Sequence, residues 1–362
     1  MSSVDDVLTE TATRLFESTC TFEAVQAAED EGWPGGIWDT VAESGFPWVS
    51  VPEEGGGMGG TLADALEIVR IGAEHAAPIP VAETGLLAGW LLAGAGLRLP
   101  EGIATVAPPA KGDVFTVASA VQGVNVAGEL HRVPWARQAD RVVVLAEIEG
   151  QGHVLSLNPQ VGTIEPGTNM AGEPRDTIRF DSVTVPAEDV APAAEGVNGE
   201  TLMLRGALVR ATQMAGALEA MNRLTVGYTN DRHQFGRPVG RFQAVQQHLV
   251  WSAQDAAMAR MAADIAGREA GRGAAPFEIA SAKVVANRAA RTATAACHQA
   301  HGAMGMTQEY ALHHLSRRLW SWRHEYGSDQ FWRVRLGRTV HAAGADNLFP
   351  AITGGSAALG LA

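Results

Sequence analysis

The sequence RHQFGRPVGRFQAVQQHL, residues 232–249, joins two segments whose apolar residues recur at helical spacing. The first covers residues 202–229 and the second residues 242–266, and both patterns are typical of long core helices. The joining segment is therefore predicted to be a polar loop held between two helices. Because Arg232 stands close to the ring of Phe235 in sequence, and rigidly held loops concentrate binding groups, this loop suits a phosphate and a flat ring together.

Composition restricts the class of protein. The chain has 362 residues, 46% of them apolar, and a formal net charge of −13, which indicates a globular protein of two or three domains. The acidic balance argues against nucleic-acid binding, because neutralising phosphates requires clustered Lys and Arg. Cys20 and Cys297 lack CxxC spacing, which argues against a disulfide framework and a zinc site and favours a reducing compartment. We expect a cytoplasmic protein without membrane association, because neither the N-terminus nor the apolar residues 85–99 resemble a signal peptide or a membrane span.

The local sequence pattern changes twice along the chain, from helix-like to strand-like and back to helix-like, which predicts an α+β multidomain fold. A helical N-terminal domain is expected at residues 1–102, an antiparallel β domain at 103–195 and a helical bundle at 196–362. Helical spacing predicts helices at residues 7–20, 37–44, 62–75, 201–230, 242–271, 276–300, 308–324 and 328–344. Short β-rich runs predict strands at residues 114–118, 122–127, 141–147, 153–157, 177–180 and 182–185.

Some eye-catching motifs favour ordinary structural roles. The run GGGMGG at residues 55–60 matches G-x-G-x-x-G, but it lacks the βαβ surroundings of a dinucleotide-binding unit and is interpreted as a connecting loop. His298 and His301 stand about one helical turn apart, with His313 and His314 further on, but no carboxylate has H-E-x-x-H spacing, so no metal site is expected. The tryptophans of this region, Trp320, Trp322 and Trp332, are interpreted as core residues.

A second glycine-containing loop, QAHGAMGMTQEY at residues 299–310, also lies at the end of a predicted helix. Backbone N–H groups at helix ends and guanidinium groups both bind phosphate oxygens. Together with residues 232–243, this loop forms a candidate pyrophosphate site. Residue chemistry alone leaves the nature of the ligand open.

Five separated motifs, in order and over nearly the whole length, resemble those of the acyl-CoA dehydrogenase family, flavoproteins that desaturate acyl-CoA thioesters. In chain order these motifs are VPEEGGGMGG, FDSVTVPAEDV, RHQFGRPVGRFQAVQQHL, ASAKVVANRAARTATAACHQAHGAMGMTQEY and LSRRLWSW. The resemblance implies an N-terminal helical domain, a middle β domain and a C-terminal four-helix bundle.

The resemblance also implies FAD as cofactor, with the ADP half of FAD held by two loops across a subunit interface. Ala303 replaces the second glycine of the family's glycine doublet in one of these loops. A tryptophan beside the flavin ring corresponds to Trp135. By position, the implied FAD-binding residues are Arg232, Gln234, Phe235 and Gln243 on one side, Gln299, Gly302 and Gly305 on the other, and Trp135 at the ring.

The chain departs from the family in the elements closest to the chemistry. Residues 106–128 contain no counterpart of the family's T-E-P-x-x-G-S-D loop, which contacts flavin and substrate. At the two positions where members carry the carboxylate base, this chain has Tyr326 and Gly206, while Glu325 is one residue out of register. A phenol with a pKa near 10 is a poor base at neutral pH. No catalytic residue is therefore expected in this chain, with Glu325 as the fallback.

This combination resembles the base-lacking subunit of heterotetrameric bacterial acyl-CoA dehydrogenases that act on steroid side-chain CoA thioesters. The implied partner is a catalytic paralogue and the implied substrate an acyl-CoA. Two alternatives stay open: a self-sufficient homomeric enzyme that uses Glu325 as its base, and a flavin-free scaffold or regulatory paralogue.

Overall fold

The computed structural model describes residues 3–108, 114–120 and 122–361. The chain divides into two compact units. One, called here the helical unit, comprises Met1–Gln26, Leu66–Ala77 and Ala207–Ala362. The other, called the β-containing unit, comprises Ala27–Ala65 and Pro78–Gly206.

The elements follow the predicted order of helices, strands and helices. The helices are α1 (Ser3–Thr19), α2 (Phe22–Glu31), α3 (Gly35–Glu43), α4 (Leu62–Glu74), α5 (Trp90–Gly94), α6 (Gly199–Asp231), α7 (Gln243–Ala270), α8 (Pro276–His301), α9 (Leu312–Trp322), α10 (Asp329–Ala343) and α11 (Leu348–Ala358). The strands are β1 (Ala104–Val106), β2 (Val114–Ala120), β3 (Gly123–Pro134), β4 (Arg141–Ile148), β5 (Gln151–Leu157), β6 (Thr163–Glu165), β7 (Arg175–Val185), β8 (Val190–Pro192), β9 (His233–Gln234) and β10 (Arg237–Pro238). The predicted fold class is confirmed.

Small side chains let α7 and α8 of the helical unit pack closely. Alanines line the buried face of each helix. Because their side chains are small, the two helix backbones can approach closely. Ser252 of α7 and Cys297 of α8 meet at 3.1 Å between Oγ and Sγ. The buried alanines are Ala256, Ala259, Ala263 and Ala266 on α7, and Ala282, Ala286, Ala289, Ala290, Ala293 and Ala296 on α8.

A reciprocal cap begins α4. The backbone N–H of Thr61 donates to Asp64 Oδ2 at 2.7 Å, and the N–H of Asp64 donates to Thr61 Oγ1 at 3.2 Å. This exchange satisfies two N–H groups that the helix start would otherwise leave unpaired. The glycine run at residues 55–60 precedes this cap as a loop, as expected, and a Cβ on Gly57 would lie only 2.2 Å from the carbonyl oxygen of Val51.

Two four-stranded sheets in the β-containing unit share one hydrophobic core. Their strand orders are β1-β4-β5-β8 and β2-β3-β7-β6. Val126, Leu130, Val144, Leu155 and Phe180 are among the buried residues between them. Buried residues alternate with more exposed ones in parts of β3 and β7, which explains why a period-two pattern predicted strands there. The pairing is antiparallel except between β1 and β4, which run parallel.

Several expectations about the β-containing unit were wrong in detail. The runs 177–180 and 182–185 form the single strand β7, which continues through Ser182 with a φ of 56°. Residues 109–113 and 121, within the stretch 106–128, lie outside the described residues. Sequence periodicity also missed β1, β6 and β8, because three-residue strands are too short to show alternation.

The apolar residues 85–99 contain the most informative missed element. Ala82–Gly89 forms a buried π-helical segment that continues into α5. A Cβ on Gly85 would lie 1.7 Å from the carbonyl oxygen of Pro47. The glycine therefore serves close backbone packing. Across the described ranges, no helix is both long and apolar enough to span a bilayer.

Candidate functional site

The two candidate loops leave neighbouring helix ends in the helical unit. The ring of Tyr228, in the last turn of α6, stacks on the ring of His301, the last residue of α8, with centroids 4.4 Å apart. Tyr310 closes the cluster, with its centroid 5.1 Å from that of His301. His301 Nδ1 is 2.8 Å from the carbonyl oxygen of Cys297, and burial lowers the pKa of His301. This aromatic cluster therefore fixes the origins of both loops relative to each other.

The first loop is a small hairpin that presents its side chains to solvent. Strands β9 and β10 pair antiparallel, and the turn between them places Phe235 and Gly236 at φ values of 52° and 79°. Phe235 is 91% exposed, and Arg232 and Gln234 are also exposed. The guanidinium of Arg237 stacks on the Phe242 ring at 4.2 Å.

The second loop begins where Gly302 ends α8. Gly302 has a φ of 60°, and Gln299 in the preceding turn is exposed. Gly305 is buried, and a Cβ there would lie 2.9 Å from the Cβ of His301. The glycine at position 305 is thus required by packing beneath the loop surface. Ala303 is exposed, so the missing second glycine does not disturb this packing.

A groove between α7 and α8 continues from the second loop. It has a volume of about 720 Å³ and is lined by residues that include Gln299, Trp251, Met258 and Arg288. Gln243, the first residue of α7, is exposed. Phe242 at the N-cap makes no side-chain cap hydrogen bond. The N–H groups of Val245 and Gln246 donate to the carbonyl oxygen of Phe242, so those of Gln243 and Ala244 are the ones that a helix start leaves for a ligand.

The donors at this end of the helical unit fit a nucleotide diphosphate. They comprise the guanidinium groups of Arg232, Arg237 and Arg241, side-chain amides and the N-terminus of the 28-residue helix α7. Groups of each of these kinds can donate hydrogen bonds to phosphate oxygens. The exposed Phe235 ring and the groove add apolar surface for a flat ring. All seven predicted ADP-side residues lie in the helical unit.

Trp135 lies in the β-containing unit, directly after β3. It is 3% exposed and has a φ of 46°. The guanidinium of Arg175 stands 4.9 Å from its ring centroid, and Arg175 pairs with Glu173 at 3.0 Å, both with side chains 2% exposed. The ring of Trp135 is thus held by a buried ion pair within its own unit.

The segment around the expected base position is a rigid turn after α9. Tyr326 is 6% exposed with a φ of 50°, and its carbonyl oxygen accepts a hydrogen bond from Trp332 Nε1 at 2.9 Å. Gly327 follows with a φ of 99°, and a Cβ there would lie 2.3 Å from Trp332 Nε1. The predicted core role fits Trp332 and Trp322, which are 0% and 2% exposed.

Glu325, the fallback base, is held in a buried ion pair. Arg210 Nε donates to Glu325 Oε2 at 2.8 Å, and the two side chains are 1% and 11% exposed. The Arg210 guanidinium also lies 5.9 Å from the Trp322 ring and 6.0 Å from the Tyr326 ring. A carboxylate fixed by a guanidinium is oriented toward that partner and is poorly placed to take a proton from a substrate carbon.

Comparisons with known proteins agree with this architecture. Residues 199–341 match the family model described as acyl-CoA dehydrogenase, C-terminal domain. The chain is 28% identical over 314 residues to acyl-CoA dehydrogenase IpdE2 of Mycobacterium tuberculosis, covering 85% of this chain and 88% of that one. The C-terminal part of the chain is thus similar to the C-terminal domain of acyl-CoA dehydrogenases, and the similarity to IpdE2 extends over most of the chain. The family's relatives are FAD-dependent flavoproteins.

Solved structures share the acyl-CoA dehydrogenase fold over almost the whole chain. One chain of the ChsE4-ChsE5 complex from Mycobacterium tuberculosis superposes on this chain with a TM-score of 0.84 at 20% identity. The superposition covers 95% of this chain and 99% of that chain. The Tcur3481-Tcur3483 steroid ACAD variant superposes with a TM-score of 0.83 at 22% identity, covering 94% and 98%. At these identities the similarity establishes the fold.

Sequence reasoning missed two buried cations of the helical unit, Arg210 and Lys283. Lys283 is fully buried, and its Nζ donates to Asn287 Oδ1 and to the carbonyl oxygen of Trp322, both at 2.9 Å. Burial lowers the pKa of Lys283 to about 7, and the nearby Glu325 carboxylate partly opposes this shift. Lys283 lies within one of the family-like motifs, but its role becomes visible only in the fold. There its side chain binds the carbonyl oxygen of Trp322, the last residue of α9, just before the turn that holds Tyr326.

Lys283 should make stability depend on pH. Its pKa is about 7 in the folded chain and about 10.4 when unfolded, so between these values the unfolded state binds more protons and folding becomes more favourable as pH rises. Lys283→Met removes this dependence. We expect the free energy of unfolding to rise for the wild type relative to Lys283→Met by at most about 1.4 kcal/mol per pH unit.

Urea unfolding of both proteins at about pH 6.5, 8 and 9.5 measures this difference. Above pH 7 the free energy of unfolding of the wild type should increase relative to that of Lys283→Met, because in this pH range Lys283 loses its proton in the folded chain but keeps it in the unfolded chain. Parallel pH curves for the two proteins would show that Lys283 keeps an ordinary pKa.

Proposed function

We propose that this chain is the base-lacking subunit of a heteromeric acyl-CoA dehydrogenase. In this assembly it contributes the ADP-binding half of an FAD site at an interface with a catalytic paralogue, which supplies the base for α,β-desaturation of an acyl-CoA thioester. The observation that supports this most directly is the state of the base position. Tyr326 occupies it, and the neighbouring Glu325 is paired with Arg210 at 2.8 Å.

The chain's own residues would act by binding and orientation. Arg232, Gln234 and Gln243 would hold the diphosphate, with Gln299, Gly302 and Gly305 on the other side. Phe235 would cover part of the nucleotide, and Trp135 would lie toward the flavin ring. When bound, FAD supplies the acceptor for the hydride that leaves the β carbon. The α proton would go to the carboxylate of the partner chain.

An exposed apolar stripe on α7 supports docking of a related chain. Trp251, Met258, Met261 and Ile265 are 48%, 46%, 65% and 38% exposed. Their positions follow the alternating three- and four-residue spacing of a helix-packing seam. Such a stripe on a long helix is suited to another helix, and a paralogue of the same fold would present one. We propose this stripe as part of the interface.

Two structural neighbours favour a steroid-type substrate and a two-chain assembly. One neighbour is a complex of ChsE4 with ChsE5, and another is described as a steroid ACAD formed from Tcur3481 and Tcur3483. We therefore propose a CoA thioester of a steroid side chain as the substrate class. The partner would carry a carboxylate at one of the two family base positions.

Purifying the chain alone and co-expressed with related acyl-CoA dehydrogenase chains tests the proposal. We expect visible flavin absorbance and dehydrogenation only for the co-purified complex, since the lone chain provides one half of the FAD site. A lone chain that retains flavin and desaturates acyl-CoA would contradict the subunit role. A stable but colourless complex would favour the flavin-free scaffold.

A further inference from the structure

An arginine of the β-containing unit carries a charge without a counter-ion. Arg205 lies on α6 directly before Gly206, the second position at which family members carry the base. Its side chain is enclosed yet keeps partial solvent access. Burial lowers the pKa of Arg205 to about 10, so the group remains charged at neutral pH. Within the described ranges, no carboxylate pairs with it.

The π-helical segment fixes the orientation of this guanidinium. In that segment the N–H of Trp90 donates to the carbonyl oxygens of Gly85 and Leu87 and bypasses that of Leu86. The Leu86 oxygen accepts the hydrogen bond from Arg205 Nε at 2.6 Å. The Trp90 ring then supports the guanidinium, whose central carbon is 4.6 Å from the ring centroid. Local π-helical turns frequently occur at functional sites, and here the altered hydrogen bonding positions a cation.

This arrangement leaves the outer edge of the guanidinium available. A guanidinium has five N–H donors, and in the described part of the chain only Nε of Arg205 makes a hydrogen bond. The four donors on Nη1 and Nη2 form the planar fork that binds carboxylates in a bidentate manner. Desolvating a charge is costly unless an opposite charge compensates it, so the site favours an anion.

We propose that Arg205 is a specificity-determining residue that binds a carboxylate carried by the acyl group of the ligand. The inference rests on the proposed relation to acyl-CoA chemistry and assigns to this chain a ligand of its own, an acyl thioester with a second, free carboxylate, which it binds without removing a proton. A cation beside the position of the lost base has no use in removing a proton. It has a direct use in holding a negatively charged group.

Binding of two thioesters of equal chain length tests the inference. Adipoyl-CoA carries a terminal carboxylate and hexanoyl-CoA does not. Calorimetric titration of the full chain, alone and with its partner, should show tighter binding of adipoyl-CoA by roughly 10- to 100-fold, as expected for charge-assisted hydrogen bonds. Arg205→Met should abolish this preference, while Arg205→Lys, with a point charge but no fork, should retain only part of it.

The control is Arg98→Gln, an exposed arginine of the same unit, which should keep the full preference. Free adipate distinguishes the source of the carboxylate: binding that depends on Arg205 but not on CoA would assign a free dicarboxylate. A wild type without preference for adipoyl-CoA, or a preference that survives in a folded Arg205→Met, would overturn the proposal. So would a ligand-independent loss of partner binding in Arg205→Met, because the anion would then be a side chain of the partner.

Binding is measured without reference to flavin or turnover. A lone chain that retains flavin and desaturates acyl-CoA would remove the proposed subunit role and leave the adipoyl preference intact. The two proposals therefore fail through different observations.

Discussion

Replacing Arg210 by methionine is expected to lower the free energy of unfolding by about 3–5 kcal/mol. The Glu325 side chain is 11% exposed and would be left without its 2.8 Å guanidinium partner. Breaking a buried pair on one side costs more than the pair itself contributes, because one desolvated charge remains. Urea unfolding monitored by tryptophan fluorescence measures the loss, since Trp322 lies beside the pair.

A double-mutant cycle separates charge burial from lost packing. Arg210→Met combined with Glu325→Gln removes both charges, and we expect it to recover most of the stability lost in Arg210→Met. Arg333→Met is the matched control, because its pair with Asp329 is solvent-exposed and should contribute at most about 1 kcal/mol. Additive losses in the double variant would show that Arg210 and Glu325 do not interact energetically.

The same variants decide whether Glu325 acts as the base. If the carboxylate serves only the ion pair, the folded double variant in complex with its partner should dehydrogenate acyl-CoA at a rate close to that of the wild type. If Glu325 is the base, turnover is lost in Glu325→Gln and in the double variant alike, while FAD stays bound. The homomeric alternative depends on the second result.

The sequence predicted the long helices well, for a physical reason. In α7 and α8 the buried alanines recur at a spacing close to the helical repeat, so burial on one face is visible in the chain itself. The π-helical segment at Ala82–Gly89 was not predictable in this way. Its eight residues are all buried, which removes the amphipathic pattern, and its Gly85 meets the backbone of Pro47, which lies far away in sequence.

The site residues also divide into those that a local sequence pattern reveals and those that depend on contacts distant in sequence. The two loops at the ends of α6 and α8 were predictable as loops, because glycine, arginine and glutamine stand there in short local motifs. Arg210 and Glu325 lie 115 positions apart, and Arg205 reaches a carbonyl 119 positions away. Such contacts depend on the tertiary fold, and no local pattern reports them. Whether a charged residue is paired, buried or open to a ligand is therefore what the structure adds.

Replacing Arg232 by methionine is expected to weaken FAD binding to the complex by roughly 10- to 100-fold, the range for loss of hydrogen bonds to a charged group. Arg232 follows the last turn of α6, and its carbonyl oxygen accepts a hydrogen bond from the N–H of Val239 at 2.8 Å, which closes the hairpin. The substitution keeps this backbone contact and removes only the guanidinium. Titration of the flavin-free complex with FAD, followed by quenching of flavin fluorescence, gives the affinity.

Arg272→Met is the control, since Arg272 is exposed beyond the far end of α7, about 40 Å from Gln243 along the helix axis. Its variant should bind FAD as the wild type does. The FAD affinity of Arg232→Lys should lie between those of the wild type and Arg232→Met, because an ammonium group attracts the diphosphate but cannot bind it as a planar fork. The affinity of the wild type should also decrease more steeply with salt than that of Arg232→Met. Equal losses in Arg232→Met and Arg272→Met would mean that net charge, and not the loop, attracts the cofactor.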